Sequence, residues 1–276
     1  MTKEQKKFLK KQKIYKRLIL ITQVSLFIFL ILIWQILSDK NIINSFITSS
    51  PRNIIKTLIT LYKENNLFFH IYTTLKETLI SFTLTTIISL IISILLYHYN
   101  FLSKVVEPYL IILGSMPKVA LGPIIIIWIG ANIKGIITMA ILISIIVSIQ
   151  SIYNGFIQTD KLKIKLLQTF KASKKKILLN VVIPSNKETI INTLKINISM
   201  CLIGVIMGEF LTSKAGIGYL ILYGSQIFNL NLVMTGIFIL LILSVILYYL
   251  LILFTKEKHW KPQCFLNISM TISKLS

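Results

Sequence analysis

Acid–base, nucleophilic and metal chemistry need His, Cys and carboxylate groups brought together, and this chain is poor in all three. It has three histidines (His70, His98, His259) and two cysteines (Cys201, Cys264). No histidine stands at metal-ligand spacing from another His, Cys or carboxylate. There is no nucleophile elbow, no paired-carboxylate motif and no glycine-rich phosphate loop, so a Walker-type ATP site is excluded. Cys201 sits in an apolar run and Cys264 in a basic tail; both read as free thiols. The remaining candidates are charges in unusual places. Lys118 lies in an apolar stretch broken at Pro117 and again at Gly122-Pro123, and an intramembrane cation is costly unless it faces protein or water. Such a cation could favour anionic solutes, or serve packing alone. Glu209 is the one carboxylate well inside a later apolar run. Lys195 stands about four turns before it, roughly 21 Å away, too far to pair.

The longest charged stretch of the second half runs from Asp160 to Pro184 and, with Lys187, carries eight basic residues. Asp160 can N-cap a helix to about Phe170, with Leu162, Leu166, Leu167 and Phe170 along one face. Ala172-Ser173 offers a break, Ser173 a second cap for Lys174 to Val182, and Pro184 a stop. Two short helices, basic and apolar on one side, fit a docking element for a soluble partner. They fit equally a loop lying on anionic headgroups.

The elements around these groups are membrane spans. Hydrophobic residues make up 55% of the chain and charged residues 14%, with the apolar ones gathered into runs of about 20, enough to cross a bilayer. The expectation is an all-α polytopic membrane protein with about six transmembrane helices. The formal charge of +21 reads as crowding of lysines on cytoplasmic flanks, not as nucleic-acid binding.

In chain order, a basic cytoplasmic N-terminus (1–17) precedes a first span (18–38), too long and too poor in small residues for a cleaved signal. Residues 39–70 form an extracytoplasmic segment. There Ser49-Ser50-Pro51 starts a surface helix over Arg52 to Tyr62. The second span covers about Thr74 to Tyr99. The third begins near Glu107-Pro108 and is a broken helix, since neither half spans a bilayer alone. A turn at Gly130-Ala131-Asn132 leads to the fourth, Ile136 to Tyr153, and the fifth covers Ile190 to Leu211. An outer loop, Thr212 to Asn231, contains Gly216 and Gly218 as a turn or gate. The sixth covers Leu232 to Phe254, before a basic tail (256–276). This topology places 21 Lys and Arg residues inside and seven outside, with both termini cytoplasmic.

At these residues the chain resembles the membrane subunits of bacterial ABC importers, of the nitrate, taurine and alkanesulfonate type. The resemblance covers about residues 50 to 255. Its most specific part is Met116-Pro117-Lys118-Val119-Ala120-Leu121-Gly122-Pro123 leading to Trp128-Ile129-Gly130. Gly208-Glu209-Phe210-Leu211 with Gly216-Ile217-Gly218-Tyr219, and Ser50-Pro51 with its helix, look similar as well. The family's cytoplasmic signature, E-A-A-x-x-x-G followed by I-x-L-P, falls on Lys165-Leu166-Leu167, Lys171 and Val181-Val182-Ile183-Pro184. Lysines here replace the family's glutamate and glycine, and Glu77 stands where a basic residue often precedes the second span's core.

The resemblance implies a type-1 ABC importer permease fold over 71–255, with a coupling loop at 157–187. Lys165, Leu166, Leu167, Gln168, Lys171, Ala172, Ser173, Ile183 and Pro184 would meet the ATPase. Pro117, Lys118, Gly122, Pro123 and Glu209 would line the pathway, and Gly216 and Gly218 an outer gate. It also implies ATP-binding subunits as partners, with ATP and Mg on those chains and no cofactor on this one. An extracytoplasmic solute-binding protein and a second permease copy, as a homodimer, complete the assembly in a bacterial cell membrane. The rival readings are a stand-alone secondary transporter and a non-transporting or decayed permease scaffold.

Overall fold

The structure, a computed structural model, describes residues 3–64, 66–212 and 214–255. The basic tail 256–276, with His259 and Cys264, lies outside the described residues. Among those described there are helices and no strands. In chain order they are α1 (Lys3–Asp39), α2 (Ser45–Thr48), α3 (Pro51–Lys63), α4 (Leu67–His98), α5 (Asn100–Ser115), α6 (Gly122–Ile129), α7 (Ile133–Ile157), α8 (Lys161–Thr169), α9 (Lys174–Ile177), α10 (Ile183–Ser185), α11 (Lys187–Thr212), α12 (Ile217–Gln226) and α13 (Leu230–Phe254). Among the described residues, five stretches are long and apolar enough to cross a membrane: Arg17–Asp39 of α1, and α4, α7, α11 and α13. A sixth exists if α5 and the Lys118–Ile129 stretch count as one element, bent by 89° at its break.

Local chemistry sets most boundaries. Ser50 Oγ accepts from the Asn53 N–H at 3.2 Å with Pro51 in the first turn, so α3 starts where the cap and proline dictate. Asn132 Oδ1 caps α7 by accepting from Lys134 and Gly135 N–H. Four boundaries differ from the sequence expectation. Helix α5 begins at Asn100, not near Glu107-Pro108, and carries Pro108 inside it. Helix α1 has no breaker at residue 17 and runs from Lys3 through the first span. Helix α4 starts at Leu67, because Leu67, Phe68, Phe69 and Ile71 extend the apolar pattern through the end of the expected 39–70 segment. The expected outer loop contains a helix, α12, which the three glycines at 216, 218 and 224 obscured.

The chain divides into two compact units, one of residues up to Leu75 with Ser213–Leu240, the other of Lys76–Thr212 with the stretch from Leu241 on. In the first, Ser49 Oγ donates to Asn231 Oδ1 at 2.7 Å, and the Arg52 N–H donates to Gln35 Oε1 at 3.1 Å. These bonds tie the surface helix to α13 and α1.

The second unit is built on small and hydroxyl side chains. On α4, Thr78, Ser81, Thr85, Ser89 and Ser93 are each at most 1% exposed, while Leu84, Ile87, Ile91 and Leu95 are 40–52% exposed. The apolar residues thus point outward, as a lipid-facing helix requires. Helices α7 and α11 run antiparallel in register. Thr193 Oγ1 donates to Ser151 Oγ at 3.0 Å, and Cys201 Sγ lies 3.3 Å from Ser144 Oγ. Thr85 Oγ1 joins them, 3.1 Å from Ser144 Oγ. Farther along, a Cβ on Gly204 would lie 2.4 Å from Ala140 Cα, and one on Gly208 would lie 2.9 Å from Ile136 Cα. Without those side chains the two backbones come close enough to pack.

Gly204→Ala should therefore destabilise the chain by about 1–3 kcal/mol through overpacking. Gly114→Ala, whose nearest neighbour is the movable Gln150 amide at 3.1 Å, should cost less. Thermal unfolding of the two variants in the same detergent checks the difference.

Candidate functional site

The segment between α7 and α11 is stapled where it leaves and re-enters the bundle. Buried Asn186 donates through Nδ2 to Thr159 Oγ1 at 2.7 Å and to the Val182 carbonyl at 2.8 Å. Asp160 Oδ1 accepts from the Leu162 N–H at 2.8 Å and starts α8 as its spacing predicts. The apolar residues of α8 divide between two faces. Leu162, Leu166 and Phe170 are 75%, 58% and 77% exposed and stand one turn apart in a row. Ile164 and Leu167 instead pack inward with Ala172 and Ile183 on a core of Ile152, Phe156, Ile177, Leu178 and Val182. Leu167 and Ile183 thus belong to the support and not to an open face, a correction to their expected place on the contact surface. Lys165, Gln168, Lys171, Ser173 and Pro184 are exposed.

The end of α8 explains what Lys171 does there. The Ala172 N–H donates to the Leu167 carbonyl at 3.0 Å and the Lys171 N–H to Gln168 at 2.8 Å. This pair of bonds is a Schellman cap, whose turning residue must be left-handed and is usually glycine. Lys171 has φ of 52°, a conformation that costs an L side chain about 1–2 kcal/mol. Chain direction is kept without the glycine. Ser173 Oγ then accepts from the Lys176 N–H at 3.4 Å and caps α9. Pro184 does not stop the helix as expected. Wide π-type turns over Leu178–Val182 lead directly into α10, and the chain turns at Asn186. A π turn makes room for a proline ring and its missing N–H within a helical path.

The break expected in the third span is present. Helix α5 ends at Ser115, a 3₁₀ turn covers Lys118–Leu121, and Pro123 stands in the first turn of α6. Lys118 Nζ donates to the Gly114 carbonyl at 3.2 Å, which places its charge on the orphan carbonyls ending α5. That bond gives Lys118 a structural role at the break. Pro117 and Pro123 are exposed, while Gly122 is buried. A Cβ on Gly122 would meet Leu211 Cδ1 at 2.7 Å, so this glycine serves helix contact.

Glu209 is fully buried, and Glu77 on α4 is 3% exposed. Their carboxyl groups share a hydrogen bond between the two helices. The linear sequence shows no paired-carboxylate motif because the two residues lie on different spans. The departure at Glu77 was the available signal.

In the first unit, Gly216 has φ of 105° and its N–H donates to His70 Nδ1 at 3.0 Å. The Ile217 N–H donates to Thr74 Oγ1 at 2.8 Å. Gly216 is therefore the turn; Gly218 is buried inside α12 and corrects the expectation of a second turn glycine. The rings of His70, Tyr219 and Tyr223 form a column, with successive centroids 5.9 Å apart and planes within 22°.

The sequence model of the family described as "Binding-protein-dependent transport system inner membrane component" matches residues 85–256. A Haemophilus influenzae protein named "Probable ABC transporter permease protein" is 28% identical over 220 residues, 80% of this chain and 89% of that protein. The formylaminopyrimidine transport permease protein ThiX of Halalkalibacterium halodurans is 27% identical, over 70% of this chain and 76% of that one. Among solved structures, the inward-facing MetNI methionine ABC transporter aligns with a TM-score of 0.55 at 19% identity. That alignment covers 70% of this chain and 94% of the MetNI chain. It shows a shared fold.

Two outcomes follow from the site geometry. Lys171→Gly should stabilise the chain by about 1 kcal/mol, since only the residue's backbone conformation is relieved. Glu209→Leu should lower the unfolding midpoint more than the Glu77→Leu/Glu209→Leu double variant does. The single change strands a buried carboxyl without its partner, and the double change removes both. Thermal unfolding of purified variants reads all three.

Proposed function

The chain belongs to the family of binding-protein-dependent transport system inner membrane components, and from that premise we propose that residues 160–186 dock the ATPase subunits of its transporter. The protein is a multi-pass permease subunit of an ABC importer. Its ATP-binding subunits and binding protein are separate chains in this reading. Two permease copies form the pathway as a homodimer, with both termini and residues 160–186 on the cytoplasmic face. ATP and Mg stay on the partner.

The observation that carries the docking assignment is the exposed row Leu162, Leu166 and Phe170 on α8. Three large apolar side chains on one open helix face are a surface a soluble partner can cover. The opposite face is anchored through Ile164 and Leu167, so a push on the row is delivered to α7 and α11 as rigid elements. A loop lying on anionic headgroups would bury the same row in lipid, and ATPase co-purification distinguishes the two. The secondary-transporter reading gives way to the family match, since the matched model and relatives are those of binding-protein-dependent and ABC permease proteins.

For the solute, the name of ThiX points to a planar, water-soluble nitrogen heterocycle as the first class to test. The stacked column ending at Tyr223, 42% exposed, offers such a ring a face to lie on. Pro117, Lys118, Pro123 and the Gly216 turn remain the proposed pathway and gate positions.

Leu166→Asp/Phe170→Asp should reduce co-purification of the ATPase at least tenfold while leaving membrane insertion and unfolding midpoint unchanged. Retention of the ATPase by this variant would overturn the docking assignment. In a thermal-shift panel on the partner binding protein, a formylaminopyrimidine should stabilise it. A shift with methionine or an alkanesulfonate alone would reject the heterocycle class.

A further inference from the structure

Between the docking segment and the bundle lies a cavity of about 300 Å³, walled by the end of α4, the start of α5, the end of α7, and α8 and α9. It is separate from the exposed row, being lined by Ile164 and Ile177 from the inward side of the segment. Two cations reach it from different helices, Lys161 at the start of α8 and Lys174 at the start of α9, and no carboxylate is among its lining residues. The third polar wall is the first turn of α5, through Asn100 and Ser103. Tyr99 offers that helix no side-chain cap, and uncapped backbone N–H groups at a helix start attract anions. The remaining wall is largely apolar, with Leu96, Phe156 and Ile177.

We infer that this cavity binds a phosphate-bearing ligand. Its anionic group is held by Lys161, Lys174 and the start of α5, and its organic part lies against the apolar wall. Several features narrow the chemistry. Two lysines on different helices and a helix start together call for an anion with several acceptor oxygens. The volume is several times the roughly 30 Å³ of a liquid water, so a bare ion would leave most of it empty. The apolar wall fits a ligand with carbon attached. The cavity lies where the spans end, the depth at which basic pockets between membrane helices take lipid headgroups. A soluble organophosphate presents the same group. A ligand held by Lys161 and Lys174 at once would tie α8 and α9 to α5 and so hold the segment in place. Only this consequence for transport rests on the docking assignment above; the site itself does not.

The test uses the full chain in nanodiscs. One arm compares phosphatidylcholine discs with and without 30 mol% phosphatidylglycerol, counting lipid retained after detergent release by native mass spectrometry. The other adds glycerol 3-phosphate to pure phosphatidylcholine discs and follows saturation transfer by phosphorus NMR. The variants are Lys161→Gln/Lys174→Gln in the cavity and Lys163→Gln/Lys175→Gln on the same segment but outside its lining. The wild type should hold one probe, phosphatidylglycerol for a lipid source or glycerol 3-phosphate for a soluble one. Binding should weaken at least tenfold in the cavity variant and stay unchanged in the control. Failure of the wild type to hold either probe overturns the inference. Equal losses in both variants also overturn it, since they mean diffuse attraction to a basic loop. ATPase co-purification on the same samples separates the readings: its loss with ligand binding intact counts against docking alone, and the reverse against the cavity alone.

Discussion

A helix in hydrocarbon gains nothing by exchanging lipid contact for apolar protein contact, so helices α4, α7 and α11 must be held by something else. Here it is closeness. Ala140, Ser144, Ser151 and Gly155 on α7 face Gly204, Cys201, Thr193 and Thr189 on α11. Small side chains bring the backbones near enough for dispersion contacts and for hydroxyl-to-hydroxyl bonds. Thr85 and Ser93 of α4 donate or accept on the same surface, at Ser144 Oγ and the Ile149 carbonyl. On α4, Leu84, Ile87, Ile91 and Leu95 are left for the lipid.

That seam is what gives residues 160–186 mechanical meaning. The segment leaves α7 and enters α11 at the seam's end, where Gly155 packs against Thr189 and Asn186. Asn186 and Thr159 close the loop at its base. A short basic excursion from two independent helices could move without consequence. One anchored between two helices in close register transmits its displacement to both. Two departures from local backbone rules fall here too, the left-handed Lys171 and the π turns before Pro184. Both keep the chain's direction where a glycine or a plain stop was expected.

Much of the architecture was legible because the membrane writes it in composition. Runs of apolar residues mark the spans, Ser50, Asp160 and Ser173 act as the caps their spacing implied, and Pro117 with Gly122-Pro123 mark the break. Helix α12 was hidden because glycines usually signal turns, and only Gly216 has a positive φ there. The face of α8 was drawn too wide. Leu162, Leu166, Leu167 and Phe170 share a helical stripe, but a stripe does not say which part of it meets a neighbour. For Lys118, open in the sequence to facing a solute or to serving packing, the Gly114 carbonyl supplies a partner.

The sequence by itself determined the class of the molecule, its span order and the start of its basic segment, because hydropathy and capping are local properties that act residue by residue. Only the tertiary structure decided which groups meet. It paired Glu77 with Glu209, set Gly204 against Ala140 and separated the outward row of α8 from its anchored face. Each of these depends on the register between helices, and no single helix carries the information that sets it.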